Sequence, residues 1–285
     1  MAEKNLGEIL RDAKSRLHGN GISTWALDAE LILSYVTGLR KEQLITHDRN
    51  ILSEKQLVEF EEAINKRLKA MPVQYIIKRC EFMGLDFYVD EHVLIPRADT
   101  EILVEAALGY INERSAGSVL DICTGSGAIA TALAKYCPCL KRITASDISA
   151  KALAVASKNA ENNGAGEIIE FAESDLLQDI IGRFDVIVSN PPYIRQADIE
   201  TLGENVKAYE PLIALSGGED GLFFYRKMAE EIGFHLNDKG RIFLEIGYDQ
   251  AEDVTKIFEA KDFNRISLLK DLAGLDRTLI FSKNI

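Results

Sequence analysis

The chain has 285 residues, of which 47% are hydrophobic and 27% charged, so we expect two globular domains rather than a disordered protein. No apolar run approaches the roughly 18 residues of a membrane span, and the first residues lack the apolar core of a secretory signal, which predicts a cytoplasmic protein without a membrane partner. The formal net charge of -12 disfavours nucleic-acid binding, which normally requires clustered lysine and arginine.

Three amphipathic helices are predicted within residues 1–73. The first would bury one face with a period near 3.6, formed by Leu6, Ile9, Leu10, Ala13 and Leu17. The second would begin near Ser23, end at the cap Gly38 and bury Leu27, Leu31 and Tyr35. The third begins at a capping box of Ser53 and Gln56, ahead of a stripe of Leu57, Phe60, Ile64 and Leu68. Residues 1–73 are therefore predicted to be a small helical domain.

Residues 74–98 break this pattern, because apolar and polar residues alternate around Gly84 and Asp90, and a hairpin-like linker is predicted there. From residue 99 onward, helical and strand patterns alternate, which is typical of an α/β fold with a parallel sheet between two helical layers. The predicted helices are 101–113, 128–136, one opening at Ser149, and 221–236; the predicted strands are 118–122, 142–146, 168–171, 184–188, 241–245, 266–269 and 278–281.

A glycine-rich turn joins the strand 118–122 to the next helix. Gly125 and Gly127 would let the backbone turn sharply and admit a ligand to the helix N-terminus, where N–H groups are free. Asp147 follows Gly127 by twenty residues, at the end of the next strand, where a carboxylate can accept both hydroxyls of a ribose. This spacing predicts a site for an adenosine-containing cofactor.

Two other interpretations of this turn stay open. In a purely structural one, the glycines only allow close packing and Asp147 only caps the following helix. In the other, Gly125, Gly127 and Ala130 satisfy the dinucleotide pattern of a nicotinamide dehydrogenase. Asp121, inside the strand, favours a cationic sulfonium donor, because a carboxylate there would repel a pyrophosphate.

The segment Asn190-Pro191-Pro192-Tyr193 follows the strand 184–188, at the edge where such sheets place their active sites. The prolines supply no N–H, so backbone carbonyls and the side-chain oxygen of Asn190 remain to accept hydrogen bonds. Tyr193 offers a flat face to a planar amide or base. The array suits a substrate –NH2 group, with a plain strand-ending turn as the alternative.

Two acceptors address the difficulty of methylating an amide, whose nitrogen is a poor nucleophile because its lone pair is delocalised. Hydrogen bonds to both of its hydrogens favour a more tetrahedral nitrogen with its lone pair aimed at a sulfonium methyl. In-line positioning then supplies much of the rate enhancement without a strong general base. The segment therefore predicts methyl transfer to nitrogen.

The cysteines and histidines predict neither a disulfide framework nor a metal site. Cys80, Cys123, Cys137 and Cys139 show no even spacing. Cys137 and Cys139 form a close pair, but no second pair or histidine cluster accompanies them. We expect four reduced thiols.

These motifs together resemble the protein-glutamine N5-methyltransferases of the HemK type, which act on peptide chain release factors. The resemblance covers nearly the whole chain and rests on 94–97, 99–101, 121–127, 190–193, 209–211, 215–218, 220–222 and 270–277. Cys123 and Ala98 depart from it, since many members have glycine and proline there. The resemblance implies a helical N-terminal domain that recognises the release factor, and a Rossmann-like, seven-stranded class I methyltransferase domain over residues 99–285 whose last strand is antiparallel.

The resemblance also implies the site residues. S-adenosylmethionine, with S-adenosylhomocysteine as product and no metal, would contact Asp121, Cys123, Thr124, Gly125, Ser126, Gly127, Asp147, Ser174, Asp175, Leu176 and Asn190. Its methionine part would lie along 123–127, its ribose on Asp147 and its adenine beside 174–176. The glutamine of the release factor's Gly-Gly-Gln motif would lie against Asn190, Pro191, Pro192 and Tyr193. Arg97 and Glu210 are candidates for supporting roles.

Four other functions are weighed against this one. Glutamine methylation of a ribosomal protein is the most similar alternative function, because related enzymes differ mainly in which substrate their N-terminal regions bind. Adenine-N6 methylation uses a similar tetrapeptide but predicts salt-sensitive nucleic-acid binding, which the net charge disfavours. Asp121 and Asn190 disfavour a dehydrogenase, and the intact tetrapeptide disfavours a catalytically silent adapter.

Overall fold

The computed structural model of the chain describes residues 5–284. They fold as two compact units, one running to Arg79 and including Gly203–Tyr209, the other formed by Cys80–Leu202 and the residues from Glu210 onward. Each unit contains its own hydrophobic core. Within the described range, no helix is both long enough and apolar enough to cross a membrane.

The first unit is helical. Its elements are α1 (Leu6–Gly19), α2 (Trp25–Thr37), α3 (Lys41–Thr46), α4 (Glu54–Leu68), α5 (Val73–Ile77) and, in its returning segment, α10 (Glu204–Lys207). Leu17, Ile32 and Phe60 bring α1, α2 and α4 into one core. The predicted capping box of α4 is confirmed, since Ser53 and Gln56 each accept the other's backbone N–H. The returning segment is tied to its unit by Tyr209, whose hydroxyl donates to the carbonyl of Lys69 at 2.7 Å.

The prediction for α2 was right about its end and wrong about its buried face. Gly38 takes a φ of 71° and caps the helix, as predicted. However, Leu27 and Tyr35 are 44% and 56% exposed, and the buried face instead carries Asp28, Ala29, Ile32 and Leu33. Asp28 can face inward because Arg67 Nε donates to its Oδ2 at 2.7 Å. Because a charged residue lies on the buried side of α2, the hydrophobicity pattern of the sequence does not reveal which face of the helix is buried.

The hairpin is shorter than the predicted linker 74–98. It consists of β1 (Cys80–Phe82) and β2 (Leu85–Phe87), paired antiparallel, with Met83 and Gly84 in left-handed conformations between them. Residues before it form helix α5, which buries Val73, Tyr75 and Ile76. The prediction of a hairpin extending from residue 74 was wrong at this end.

The second unit is built on a seven-stranded sheet, which confirms the predicted α/β class. Its strands are β3 (Ser118–Ile122), β4 (Arg142–Asp147), β5 (Ile169–Glu173), β6 (Phe184–Ser189), β7 (Leu236–Glu245), β8 (Phe263–Lys270) and β9 (Asp276–Lys283), in the order β5-β4-β3-β6-β7-β9-β8. Strands β3 to β7 pair in parallel, whereas β9 runs antiparallel to both β7 and β8. The last strand is antiparallel, as the family resemblance implies.

Helices cover both faces of this sheet. They are α6 (Thr100–Arg114), α7 (Ala128–Tyr136), α8 (Ala150–Asn162), α11 (Phe223–His235) and α12 (Ala251–Glu259). The unit also contains the short helix α9 (Gln196–Ile199), and neither α9 nor α12 was predicted. Val119 of β3 packs into a core with α6, α7 and α8, while Leu120 and Ile122 pack into a second core with α11 and α12. The strand order reverses between β3 and β6, which leaves a crevice at their carboxyl ends.

Candidate active site

A cleft lies at the carboxyl ends of β3 to β6, where the strand order reverses. It contains about 1060 Å³ of space between atoms, part of it open to solvent. Most predicted site residues line it, namely Cys123, Thr124, Gly125, Ser126, Asp147, Ser174, Asp175, Leu176, Asn190 and Pro192. Asp121, Gly127, Pro191 and Tyr193 are not among its lining residues.

The turn after β3 combines two kinds of glycine. A Cβ on Gly127 would lie 2.9 Å from the Cβ of Ala156, so this glycine permits close packing of α7 on α8. Gly125 has a φ of 55° and open space where a Cβ would stand, on the wall of the cleft. Cys123 also has a left-handed φ, 60°, a conformation that glycine adopts more readily than other residues. Gly127 therefore allows two helices to pack closely, whereas Gly125 leaves open space beside the backbone in the cleft.

Asp121 lies inside β3, as predicted, but its side chain does not line the cleft. It is fully buried beneath the turn, where its Oδ2 accepts from Thr124 Oγ1 at 2.6 Å and from the backbone N of Ala130 at 3.2 Å. Oδ1 has no hydrogen-bond partner among the described residues. Burial raises the pKa of this carboxyl to about 7, against the two hydrogen bonds, which lower it. Asp121 thus caps the first turn of α7 from inside the core.

Asp121 should make stability depend on pH between about pH 4 and about pH 7. In this range the folded protein binds more protons than the unfolded chain, whose carboxyl has an ordinary pKa of 3.8, so stability falls as pH rises. Relative to Asp121→Asn, the wild-type free energy of unfolding should fall by up to about 1.4 kcal/mol per pH unit. Urea denaturation of both proteins across this range measures the difference, and a constant difference would contradict the shift.

Asp147 ends β4 and contributes a carboxylate to the cleft wall. Its Oδ2 accepts from the backbone N of Gly125 at 2.9 Å, and its Oδ1 accepts from that of Ser149 at 3.0 Å. Burial raises the pKa of Asp147, while these backbone donors lower it. Each oxygen keeps a lone pair for a ligand hydroxyl. Ser174, by contrast, uses its hydroxyl within its own loop, accepting from the backbone N of Asp179.

Asn190 lies directly after β6 with its side-chain amide at the cleft. Its Nδ2 donates to the hydroxyl oxygen of Thr100, the first residue of α6, at 3.2 Å. This bond occupies one end of the amide and leaves Oδ1 as its acceptor end. Pro191 and Pro192 follow with no N–H to compete for an incoming donor.

Tyr193 does not present its ring to the cleft as predicted. The ring packs against the core of α11 and α12, and the hydroxyl donates to Glu245 Oε1 at 3.3 Å. Gln250 holds the same loop through its Nε2, which donates to the carbonyls of Tyr193 at 3.0 Å and Gly221 at 3.2 Å. Its Oε1 accepts from the backbone N of Gly247 at 2.9 Å. Gln250 thereby ties the loop after β6 to two other segments.

Gln250→Glu should destabilise the protein by about 1–3 kcal/mol, because an ionised carboxylate would face two buried carbonyls that have lost their donor. The same change should lower turnover, since the displaced loop carries Asn190. Urea denaturation measures the change in stability, and an assay of catalytic turnover measures the second effect. Gln196→Glu is the matched control, since Gln196 is exposed and its Oε1 only accepts from Ser216. Equal stabilities of the two variants would contradict this anchoring role.

Arg97 and Glu210 form an ion pair. The side chain of Glu210 is fully buried, whereas Arg97 is partly exposed and lines the cleft. Burial raises the pKa of Glu210, and Arg97 lowers it. Glu210 Oε2 has no hydrogen-bond partner within residues 5–284. The pair therefore fixes an arginine at the cleft wall.

Several cleft residues escaped the sequence analysis. They are mostly apolar: Phe82, Ile129, Ile148, Ile213 and Phe224. The sequence could have predicted Ile148 as a cleft residue, because it is apolar and directly follows the carboxylate that ends β4, where the strand has left the core. Ile129 lies in the first turn of α7, directly after the predicted glycine turn, whereas Phe82, Ile213 and Phe224 come from distant segments that only the folded sheet brings together.

The sequence matches known families over both units. Residues 8–77 match the family described as PrmC N-terminal domain, and residues 99–209 match the methyltransferase small domain. The release factor glutamine methyltransferase of Clostridium acetobutylicum is 44% identical over 256 residues, which cover 89% of this chain and 90% of that protein. The release factor glutamine methyltransferase of Agrobacterium fabrum is 38% identical over 275 residues, which cover 95% of each.

Solved structures share the fold at lower identity. Ribosomal protein L11 methylase from Lactobacillus delbrueckii subsp. bulgaricus has a TM-score of 0.50 at 23% identity, covering 66% of this chain and 81% of that one. A methyltransferase from Pyrococcus furiosus has a TM-score of 0.52 at 20% identity, covering 82% and 100%. At such identities the likeness concerns the fold alone, which is that of class I methyltransferases.

Proposed function

The chain belongs to the family of release factor glutamine methyltransferases, and from this we propose that it methylates the side-chain amide nitrogen of the glutamine in the Gly-Gly-Gln motif of class 1 peptide chain release factors. S-adenosylmethionine is the proposed methyl donor. The proposed consequence is modulation of translation termination in the cytoplasm.

The orientation of Asn190 carries this proposal. Its Nδ2 is engaged by Thr100, so Oδ1 is free to accept one hydrogen of a substrate –NH2 group. The backbone carbonyls beside Pro191 and Pro192 supply a second acceptor, and neither proline offers a competing donor. A glutamine amide has both hydrogens that this pair of acceptors requires, whereas a glutamate carboxylate has none.

The cleft walls support S-adenosylmethionine as the donor. The Asp147 carboxylate has lone pairs left for ribose hydroxyls. Ile148 and Leu176 offer apolar surface to a purine, and the open space beside Gly125 admits a ligand close to the backbone. Asp147 gives the wall negative charge, which suits a cationic sulfonium better than a pyrophosphate. No metal is part of the proposal.

The proposed chemistry asks for positioning rather than a strong base. The donor, held by the turn 123–127 and Asp147, would supply an electrophilic methyl group on sulfur. The carbon–sulfur bond would break, with its electron pair going to sulfur, as the nitrogen–carbon bond forms, and the methylated amide would then release one proton to solvent. Asn190 Oδ1 and a neighbouring carbonyl hold the –NH2 hydrogens, which turns the nitrogen lone pair toward the methyl. Such alignment supplies much of an enzyme's rate enhancement.

The helical unit is proposed to recognise the protein substrate. Support comes from the match of residues 8–77 to the PrmC N-terminal domain. The sequence analysis also predicted a separate helical domain over residues 1–73, which agrees with this match. Neither a nucleic acid nor a membrane is a proposed partner, and the net charge of -12 is consistent with the first of these exclusions.

Mass spectrometry of a purified release factor, incubated with the protein and S-adenosylmethionine, tests the proposal. The expected result is one added methyl group on the Gly-Gly-Gln glutamine. A ribosomal-protein fraction and an adenine-containing oligonucleotide are assayed in parallel as the alternative substrates. An unmodified release factor, with donor binding demonstrated by calorimetry, would refute the proposed substrate.

A further inference from the structure

A pair of cysteines lies at the C-terminal end of α7, whereas the glycine turn of the cleft precedes the other end of this helix. Cys137 caps the helix and is completely buried, and Cys139 is exposed. Both are free thiols, and their sulfur atoms are 2.7 Å apart. Neither residue lines the cleft, so the proposed methyl transfer uses neither thiol.

A β-turn holds the two cysteines together. The backbone N of Leu140 donates to the carbonyl of Cys137 at 3.1 Å, which closes the turn. Pro138 occupies its second position, where the fixed φ of proline favours such a turn. Cys137 and Leu140 are both part of the core around β3, so the turn is anchored at each end. The backbone therefore brings the cysteines close to each other, and their nearness does not depend on the side-chain rotamers alone.

The two thiols differ in what can reach them. Cys139 is open to solvent, so its thiolate can attack a soluble oxidant. Cys137 is shielded from solvent, and its Sγ donates to Asn112 Oδ1 at 3.4 Å. Cys137 can therefore react only with a group that is already attached to Cys139. An accessible thiol beside a second, resolving thiol is the arrangement of redox-active cysteine pairs.

The other two cysteines are poorly suited to this chemistry, because the thiolate is the reactive form of a cysteine. Burial raises the pKa of Cys80 to about 11. Burial and, after it, the carboxylate of Asp147 raise the pKa of Cys123. Both groups stay protonated at neutral pH, so oxidation should begin at the exposed thiol of Cys139.

We propose that Cys137 and Cys139 form a redox-reactive dithiol, which a low-molecular-weight disulfide converts reversibly into an intrachain disulfide. The Cys139 thiolate attacks one sulfur of the oxidant, whose S–S bond breaks and whose other half leaves and takes up a proton. Cys137 then loses its proton and attacks the Cys139 sulfur, which releases the second half of the oxidant as a thiol. The protein loses two electrons and two protons, and the oxidant becomes two thiols.

Full-length protein is tested with about 1 mM glutathione disulfide and about 0.1 mM reduced glutathione, because a tethered group has an effective concentration of millimolar order. The sample is quenched with acid, denatured, alkylated and digested. By mass spectrometry, the peptide with Cys137 and Cys139 should have lost two hydrogen atoms, and this disulfide should exceed the glutathione adduct about tenfold. Cys80 and Cys123 should be alkylated. An unreacted pair, or a glutathione adduct on Cys139 as the main product, would overturn the proposal.

Cys137→Ser separates the two steps. The exposed thiol remains but the resolving thiol is absent, so Cys139 should accumulate as a mixed disulfide with glutathione. Cys139→Ser should give neither product, because the remaining Cys137 thiol is shielded; a glutathione adduct on Cys137 would contradict the assigned order of attack. This exposed position also keeps the test decisive if Cys137→Ser does not fold, which urea denaturation checks.

Cys80→Ser is the matched control, a like substitution at another buried cysteine. It should form the intrachain disulfide to the same extent as the wild type, and a loss of the disulfide in this folded variant would overturn the assignment to Cys137 and Cys139. None of these measurements depends on methyl transfer. A release factor that stays unmodified would refute the proposed function and leave this inference standing.

Discussion

Asn190→Ala should lower kcat for methyl transfer by about 10²- to 10³-fold, the cost of removing one preorganised hydrogen-bonding group from an active site. The lost atom is Oδ1, the acceptor that the Thr100 hydroxyl leaves facing the cleft. Donor binding should change little, because the carboxylate of Asp147 and the turn at Gly125 are untouched. Stopped-time assays with mass spectrometry give kcat, and calorimetry gives donor affinity.

Asn264→Ala is a suitable control, because Asn264 is exposed on β8 at the far edge of the sheet. It loses the same atoms as Asn190→Ala without altering the cleft, so its kcat should match the wild type. Equal turnover of Asn190→Ala and wild type would remove Asn190 from the mechanism. A parallel loss of donor affinity would instead indicate collapse of the cleft.

The carboxyl ends of the central strands were the most predictable part of the molecule. The bounds of β3 and α7 match the prediction, and Asp147 ends β4 beside the cleft as expected. Local rules suffice here, because a buried strand, a glycine turn and a helix follow one another within about twenty residues. Asn190 follows β6 for the same reason, since sheets of this class collect their sites at one edge.

The direction of individual side chains was less predictable. Asp121 alternates with Leu120 and Ile122, and only the packing of α7 decides that its side of β3 is core rather than cleft. Tyr193 turns inward because Glu245, 52 residues later in the chain, offers its hydroxyl a partner. Such partners lie far away in the sequence. The sequence pattern therefore predicted which backbone segments form the site better than it predicted which side chains line the cleft.

Gly127→Ala should strongly destabilise the protein. The residue has a φ of 77°, where a Cβ costs roughly 1–2 kcal/mol, and that Cβ would approach Ala156 Cβ to 2.9 Å and its Cα to 3.0 Å. Overpacking of this kind typically costs a further 1–3 kcal/mol. Gly164→Ala separates the two effects, since Gly164 has a φ of 68° and nothing within 4 Å of a Cβ. Urea denaturation should therefore show a much larger loss at Gly127.

Gly125→Ala completes the comparison and decides between the packing and ligand interpretations of the turn. Its φ of 55° and open surroundings predict a loss of stability like that of Gly164→Ala. Unlike Gly164, however, Gly125 lies on the cleft wall and donates to Asp147, so an added methyl group would occupy space that the donor requires. We expect weaker S-adenosylmethionine binding in Gly125→Ala and unchanged binding in Gly164→Ala. If both bind the donor equally well, Gly125 serves the backbone only, and the donor lies elsewhere in the cleft.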